Sequence, residues 1–132
     1  MNLKHSLLII SLVGAVGMIA ASAAAAQQGN ALLSLKGLDP VMLVKGKEVK
    51  GNPDISVTRA GFRYLFSTAE NKAAFEKEPK KYEIQMGGSC PVVPSAEGDP
   101  DRFYVYKERI YIFASDHCVE SFKENPEQYI SN

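Results

Sequence analysis

The sequence predicts an α+β fold made of two pseudo-repeated β-hairpin–helix units packed as one small domain. Three observations point there. The first is an internal repeat: "FRYLFSTAENKAAFEKEPKKYEI" (62–84) aligns without a gap on "RIYIFASDHCVESFKENPEQYIS" (109–131). Tyr64 matches Tyr111, Phe66 matches Phe113, Phe75 matches Phe122, Pro79 matches Pro126 and Tyr82 matches Tyr129, each pair 47 residues apart (111 − 64). The second is apolar alternation of period two ahead of each helical stretch, the mark of a strand. The third is a pair of turn residues between the alternating runs, Ala60-Gly61 and Lys107-Glu108, which closes each pair of strands into a hairpin.

Taken in order, the chain opens with a basic "MNLKH", an apolar "SLLIISLVGAVGMIA" and a small-residue "ASAAAAQQ". That order predicts a bacterial-type secretory signal peptide over residues 1–26, cleaved after Ala26. The apolar run is near the lower limit of about 17 residues for a membrane span, and the alanines favour cleavage over anchoring. The expected location is periplasmic or secreted, with no membrane attachment after cleavage. Residues 27–36 read as an N-terminal extension, 37–86 as a first unit without cysteine, and 87–132 as a second unit with Cys90 and Cys118.

Each unit begins with a Pro-Val loop, Pro40-Val41 and Pro91-Val92; these lie 51 apart (91 − 40), so the first opening loop is four residues longer (51 − 47). The strands are "ISVTR" and "FRYLF", then "RFYVY" and "RIYIF". In the third of these Tyr104 and Tyr106 face one side, and Phe103 and Val105 the other. Thr68 and Ser115 stand where a hydroxyl caps a helix start, with Ser67 and Glu70 as an alternative capping box. Pro79 and Pro126 are expected to end the helices. Phe66 with Phe75, and Phe113 with Phe122, are expected in one shared core. Gly87 and Gly88 predict a tight bend or a close backbone approach. They are no phosphate loop, because no Gly-Lys-Ser/Thr follows.

Charge narrows the function. Fifteen basic and 15 acidic residues cancel, which argues against nucleic acid as the partner. The interleaved charges of "KAAFEKEPKKYE" read as a solvated helix face. His117 is the one histidine beyond the leader, and no Ser-His-Asp or Cys-His spacing accompanies it. The chain is therefore expected not to be an enzyme.

The chemistry concentrates in Cys90, His117 and Cys118. Cys90 lies in the second opening loop, and Cys118 in the first turn of its helix, where the positive helix end favours thiolate. Three readings are open: a structural Cys90–Cys118 disulfide, expected of an exported chain; free or redox-active thiols, without a C-x-x-C motif; and a metal site. Two thiolates suffice for linear Cu(I), a soft ion. Zinc would need four ligands. His117 is a candidate third ligand, although neighbours on a helix point about 100° apart. The bridge and the shared metal site both require the two cysteines to be neighbours, with Cα atoms within the disulfide range of about 4.4–6.8 Å, or a little beyond it for free or metal-holding thiols.

Residues 37–90 resemble exported YHS-domain proteins. Gly37, Asp39, Pro40 and Val41 fit the opening of that pattern. Gly46, Lys47, Val49, Lys50, Gly51 and Pro53 fit its "GK.VKG.P" segment. Phe66, Ser67, Ala69, Glu70, Asn71, Phe75, Pro79, Lys81 and Tyr82 fit its hairpin and helix, and Gly87, Gly88 and Cys90 its end. The Tyr-His-Ser tripeptide itself is absent. The second unit resembles the related TRASH-type metal-binding modules: Cys90, Pro91 and Val92 match their opening, and Cys118 their last cysteine. Val93 and Ala114 stand where two further cysteines would be, and the first unit has Asp39 and Asn71 at both outer positions. The resemblance implies a metal-binding ancestry. The expected function is an exported, non-catalytic metal-binding or metal-handling module that holds Cu(I) through Cys90 and Cys118. The alternative is a structural or interaction module with the cysteines bridged and another exported protein as its partner. A thiol-dependent redox enzyme is the third class.

Overall fold

A computed structural model describes residues 30–130. The leader 1–26 lies outside the described residues. In chain order the elements are β1 (Leu32–Leu33), α1 (Pro40–Val44), β2 (Asn52–Arg59), β3 (Phe62–Phe66), α2 (Ala69–Lys77), α3 (Pro79–Tyr82), β4 (Asp99–Tyr106), β5 (Arg109–Phe113), α4 (Asp116–Glu124) and α5 (Glu127–Ile130). Short 3₁₀ turns cover Leu35–Gly37 and Gln85–Gly88. The fold is α+β. None of the described helices is long and apolar enough to cross a membrane.

One sheet runs in the order β1-β3-β2, with β1 parallel and β2 antiparallel to β3. The other is the antiparallel pair β4-β5. Both hairpins turn through two residues of positive φ: Ala60 at 52° and Gly61 at 84°, Lys107 at 47° and Glu108 at 58°. Left-handed turns of this kind match the right-handed twist of the flanking strands. Each long strand carries a bulge near its start, between Asn52 and Ser56 and between Asp99 and Phe103.

Local geometry recurs at the offsets read from the sequence. Leu33 pairs in parallel with Arg63, and Ile84 with Ile110. The Gly51 N–H donates to the Gly37 carbonyl at 2.8 Å, and the Gly98 N–H to the Gly88 carbonyl at 2.8 Å. A Cβ on Gly51 would stand 2.5 Å from the Leu65 carbonyl carbon, and one on Gly98 2.8 Å from that of Ile112. Only glycine lets the opening loop cross its own hairpin this closely. Thr68 and Ser115 both act as helix caps, accepting from the Asn71 N–H at 3.1 Å and the Cys118 N–H at 3.2 Å. Ser67, the alternative cap, is used elsewhere.

Four expectations change in detail. The first opening loop is not all loop. Asp39 accepts from the Val41 and Met42 N–H groups and Pro40 fills the first helical position, so these residues wind into α1. Of the stretch 27–36, the described residues from 30 on supply β1 and most of the turn that follows it. The prolines do more than stop helices. α2 ends at Lys77, and Pro79 then opens α3, because proline's missing N–H is no loss at a helix start. Finally, the paired aromatics do not share one core. Phe66 and Phe75 lie in a cluster with Leu35, Val41, Tyr64, Ile110 and Ile112, while Phe113 and Phe122 lie in a second with Cys90, Tyr111 and Cys118.

The second hairpin divides the two clusters. Phe103, Val105, Ile110 and Ile112 face the first, and Tyr104, Tyr106, Tyr111 and Phe113 face the second. The strand alternation of Tyr104 and Tyr106 against Phe103 and Val105 is as the sequence predicts. In each cluster one helix phenylalanine meets its hairpin edge-on, Phe75 to Phe66 with ring centroids 5.3 Å apart and Phe122 to Phe113 at 5.1 Å. Truncating either ring to alanine would cost about 3–5 kcal/mol.

Tyr64 ties the units together. Its hydroxyl accepts the Ile84 N–H at 2.9 Å, where the chain leaves the first unit. Tyr64→Phe strands that buried N–H and should lower stability by about 1–3 kcal/mol. Tyr111→Phe, at the matching position, removes a hydroxyl with no hydrogen bond among the described residues and should change stability by about 0.5 kcal/mol or less. Urea unfolding of the two variants side by side checks this.

Candidate functional site

The site begins with the residue that opens each unit. In the first unit this is Asp39, fully buried. One carboxylate oxygen accepts the N–H groups of Val41 at 2.9 Å and Met42 at 3.2 Å. The other accepts the Ser67 N–H at 2.8 Å, the Ser67 hydroxyl at 2.7 Å and the Asn71 side-chain amide at 2.8 Å. Two loop N–H groups, the end of a strand and the first turn of a helix thus converge on one side chain.

Cys90 holds the same place in the second unit. It is fully buried, and its own N–H donates to the Ala96 carbonyl at 2.9 Å. Burial pushes its thiol up. Hydrogen bonds from the backbone of Ala114, Val93 and Val92, with one from the Cys118 thiol, outweigh that and hold Cys90 below the ordinary thiol range. These donors are the counterparts of Ser67, Met42, Val41 and Asn71 around Asp39. Successive backbone N–H groups of this kind form an anion-binding concavity. A carboxylate fills it in one unit and a sulfur in the other.

Cys118 completes the pair. It is 6% exposed, against none for Cys90. The Ser115 hydroxyl lies 3.2 Å from its sulfur and accepts its N–H at 3.2 Å. Cys90 and Cys118 are therefore neighbours, as the bridge and the shared metal site require, and both are free thiols. Tyr111, Phe113, Phe122 and Val92 pack around them and keep water away.

His117 is not brought to the thiols. It is exposed on the first turn of α4, while Cys118 beside it is buried. The turn of about 100° between neighbouring residues separates them. Among the described residues no group of three or more His, Cys, Asp or Glu side chains converges.

Arg102 is a neighbour that the sequence reading passed over. Its guanidinium donates to Asp116 at 2.7 Å and to the Ala114 carbonyl at 3.3 Å. It thereby braces the strand-to-helix joint from which Ala114 bonds to Cys90. A cation stands here where the first unit has Ile55, at the repeat offset, and that contrast was the available signal.

No family model matches the chain. No solved structure matches it. A segment of it is similar to adenylate kinase 9 of Mus musculus, 37% identical over 60 residues, which is 42% of this chain and 3% of that protein. The chain thus spans about 3% of the length of this curated relative. The match counts against the expectation that the chain is not an enzyme, since part of the sequence is similar to a segment of a protein named as a kinase. That expectation rested on the absence of a recognisable catalytic spacing around His117.

The depressed Cys90 thiol has a consequence for stability. The folded state gives up its proton at lower pH than the unfolded chain does. Between the two values the unfolded chain binds more protons, so stability rises with pH. The gain is complete above the ordinary thiol range and is lost as pH falls through the depressed value. Urea unfolding under reducing, metal-free conditions should show this rise in the parent protein, and the rise should be absent in Cys90→Ser.

Proposed function

We propose that the chain is an exported metal-handling module that holds a soft monovalent ion, Cu(I), between Cys90 and Cys118. The observation that supports this reading is the meeting of two buried thiols, one of them in a concavity of backbone N–H groups that favours its thiolate. Thiolate is the form that binds metal.

The donor set fits Cu(I) and not zinc. Two sulfurs satisfy the linear preference of Cu(I), whereas a structural zinc site takes four ligands. The apolar walls supplied by Tyr111, Phe113 and Phe122 suit a soft ion held away from water. Cys90 and Cys118 would hold the ion, and the backbone N–H groups would offset the second negative charge. The resemblance to YHS and TRASH-type modules and the leader read from residues 1–26 agree with such a role.

The closeness of the thiols also favours a second reading. On oxidation they would join as a disulfide, leaving a structural or interaction module whose partner is another exported protein. A bridge of this kind contributes on the order of 2–4 kcal/mol.

Anaerobic titration of the reduced protein with Cu(I), against a competing chelator, tests the first reading. One equivalent should bind with micromolar or tighter affinity. Cys118→Ser should abolish binding and His117→Ala should leave it intact. No binding to the reduced protein would leave the bridged module.

A further inference from the structure

A second concave site, built without either cysteine, has a different chemistry. A cavity of about 440 Å³ is lined by Arg59, Lys77, Lys80, Lys81 and Arg109, with Glu78 and Pro79. The five cations come from three places: the end of β2, the joint between α2 and α3, and the first residue of β5. They therefore converge across the boundary between the two units. Net charge over the whole chain is zero, so this concentration of one sign is a local arrangement.

The cations are poorly compensated. Arg59 pairs with Glu83. Among the described residues Lys77, Lys80, Lys81 and Arg109 make no ion pair. Arg109 is positioned by the Lys81 carbonyl, to which its guanidinium donates at 3.4 Å, and Lys81 sits over the Tyr82 ring at 5.3 Å. Five cations against the carboxylates of Glu78 and Glu83 leave three positive charges facing one cavity. Like charges held together repel, and an anion in the cavity would relieve that repulsion.

We propose that this cavity binds a phosphate-bearing anion. The excess charge calls for a multiply charged group, which a phosphate ester or diphosphate supplies and a single carboxylate does not. The two arginines offer flat forks of N–H donors that match phosphate oxygens, and the lysines add point charges around them. The space is ample: it equals the liquid volume of roughly fifteen waters. The site shares no residue with the thiol pair and does not depend on what the thiols do.

The phosphate could belong to a soluble ligand or to a lipid headgroup, and two probes separate these. Isothermal titration with pyrophosphate at constant ionic strength is the first. Co-sedimentation with equimolar phosphatidylglycerol–phosphatidylcholine vesicles is the second. Lys80→Glu and Lys77→Glu reverse exposed charges at the cavity, and Lys47→Glu reverses an exposed charge outside it. The parent protein should bind pyrophosphate, and more weakly as salt rises. Lys80→Glu and Lys77→Glu should each weaken binding by about tenfold, or 1.4 kcal/mol, while Lys47→Glu should leave it unchanged. Vesicle binding with the same dependence on Lys77 and Lys80, and no pyrophosphate binding, would assign the phosphate to a headgroup. Binding of neither probe, or equal binding by the parent and both cavity variants, would overturn the proposal.

Discussion

Each unit is organised around backbone N–H groups that converge on the residue that opens it. Two of them follow the residue that opens the unit, and a third leaves the end of the second hairpin strand. Buried donors left unpaired cost about 1–3 kcal/mol each. The opening residue must therefore be an acceptor, and it must reach all three at once. Asp39 does so with a carboxylate, and Cys90 with a sulfur. Meeting this demand draws the opening loop across the hairpin, which is why Gly51 and Gly98 must lack a side chain where the loop crosses. It also sets the start of the following helix, whose first turn delivers Asn71 or Cys118 to the same point.

The two fillings leave different chemistry behind. Asp39 spends its oxygens on the surrounding donors, with the Ser67 hydroxyl and the Asn71 amide completing the set. Nothing is left over for a ligand. At the second site Ala114 replaces Ser67 and Cys118 replaces Asn71, so a hydroxyl donor is gone and an amide has become a thiol. The sulfur of Cys90 keeps coordinating capacity and has a second sulfur beside it. One scaffold thus makes a closed polar plug in the first unit and a pair of thiols open to chemistry in the second.

The parts of this arrangement that are local in sequence were legible there. The hairpin turns, the Thr68 and Ser115 caps and the facing of Tyr104 and Tyr106 each rest on a few adjacent residues. The division into two cores was not. Ile110 and Ile112 alternate with Tyr111 and Phe113, and alternation of one apolar kind with another does not say which face meets which neighbour. The helix α1 carried a signal that went unread, an Asp cap followed by proline. The concavity around Cys90 is made of backbone groups, to which side-chain motifs give no guide. The basic cavity joins Arg59 and Arg109 to lysines far from both in sequence, so "KAAFEKEPKKYE" alone reads as a solvated face.

The most direct measurement exchanges one filling for the other. The triple variant Cys90→Asp, Ala114→Ser, Cys118→Asn writes the first unit's polar set into the second. If the N–H concavity is what both units share, this variant should fold, and its unfolding free energy in urea should lie within about 1 kcal/mol of the reduced parent protein, since every buried donor keeps an acceptor. If the second site holds its shape by thiol packing alone, three polar groups will have been buried without partners. The variant would then lose more than about 3 kcal/mol or fail to fold, and the account would be wrong.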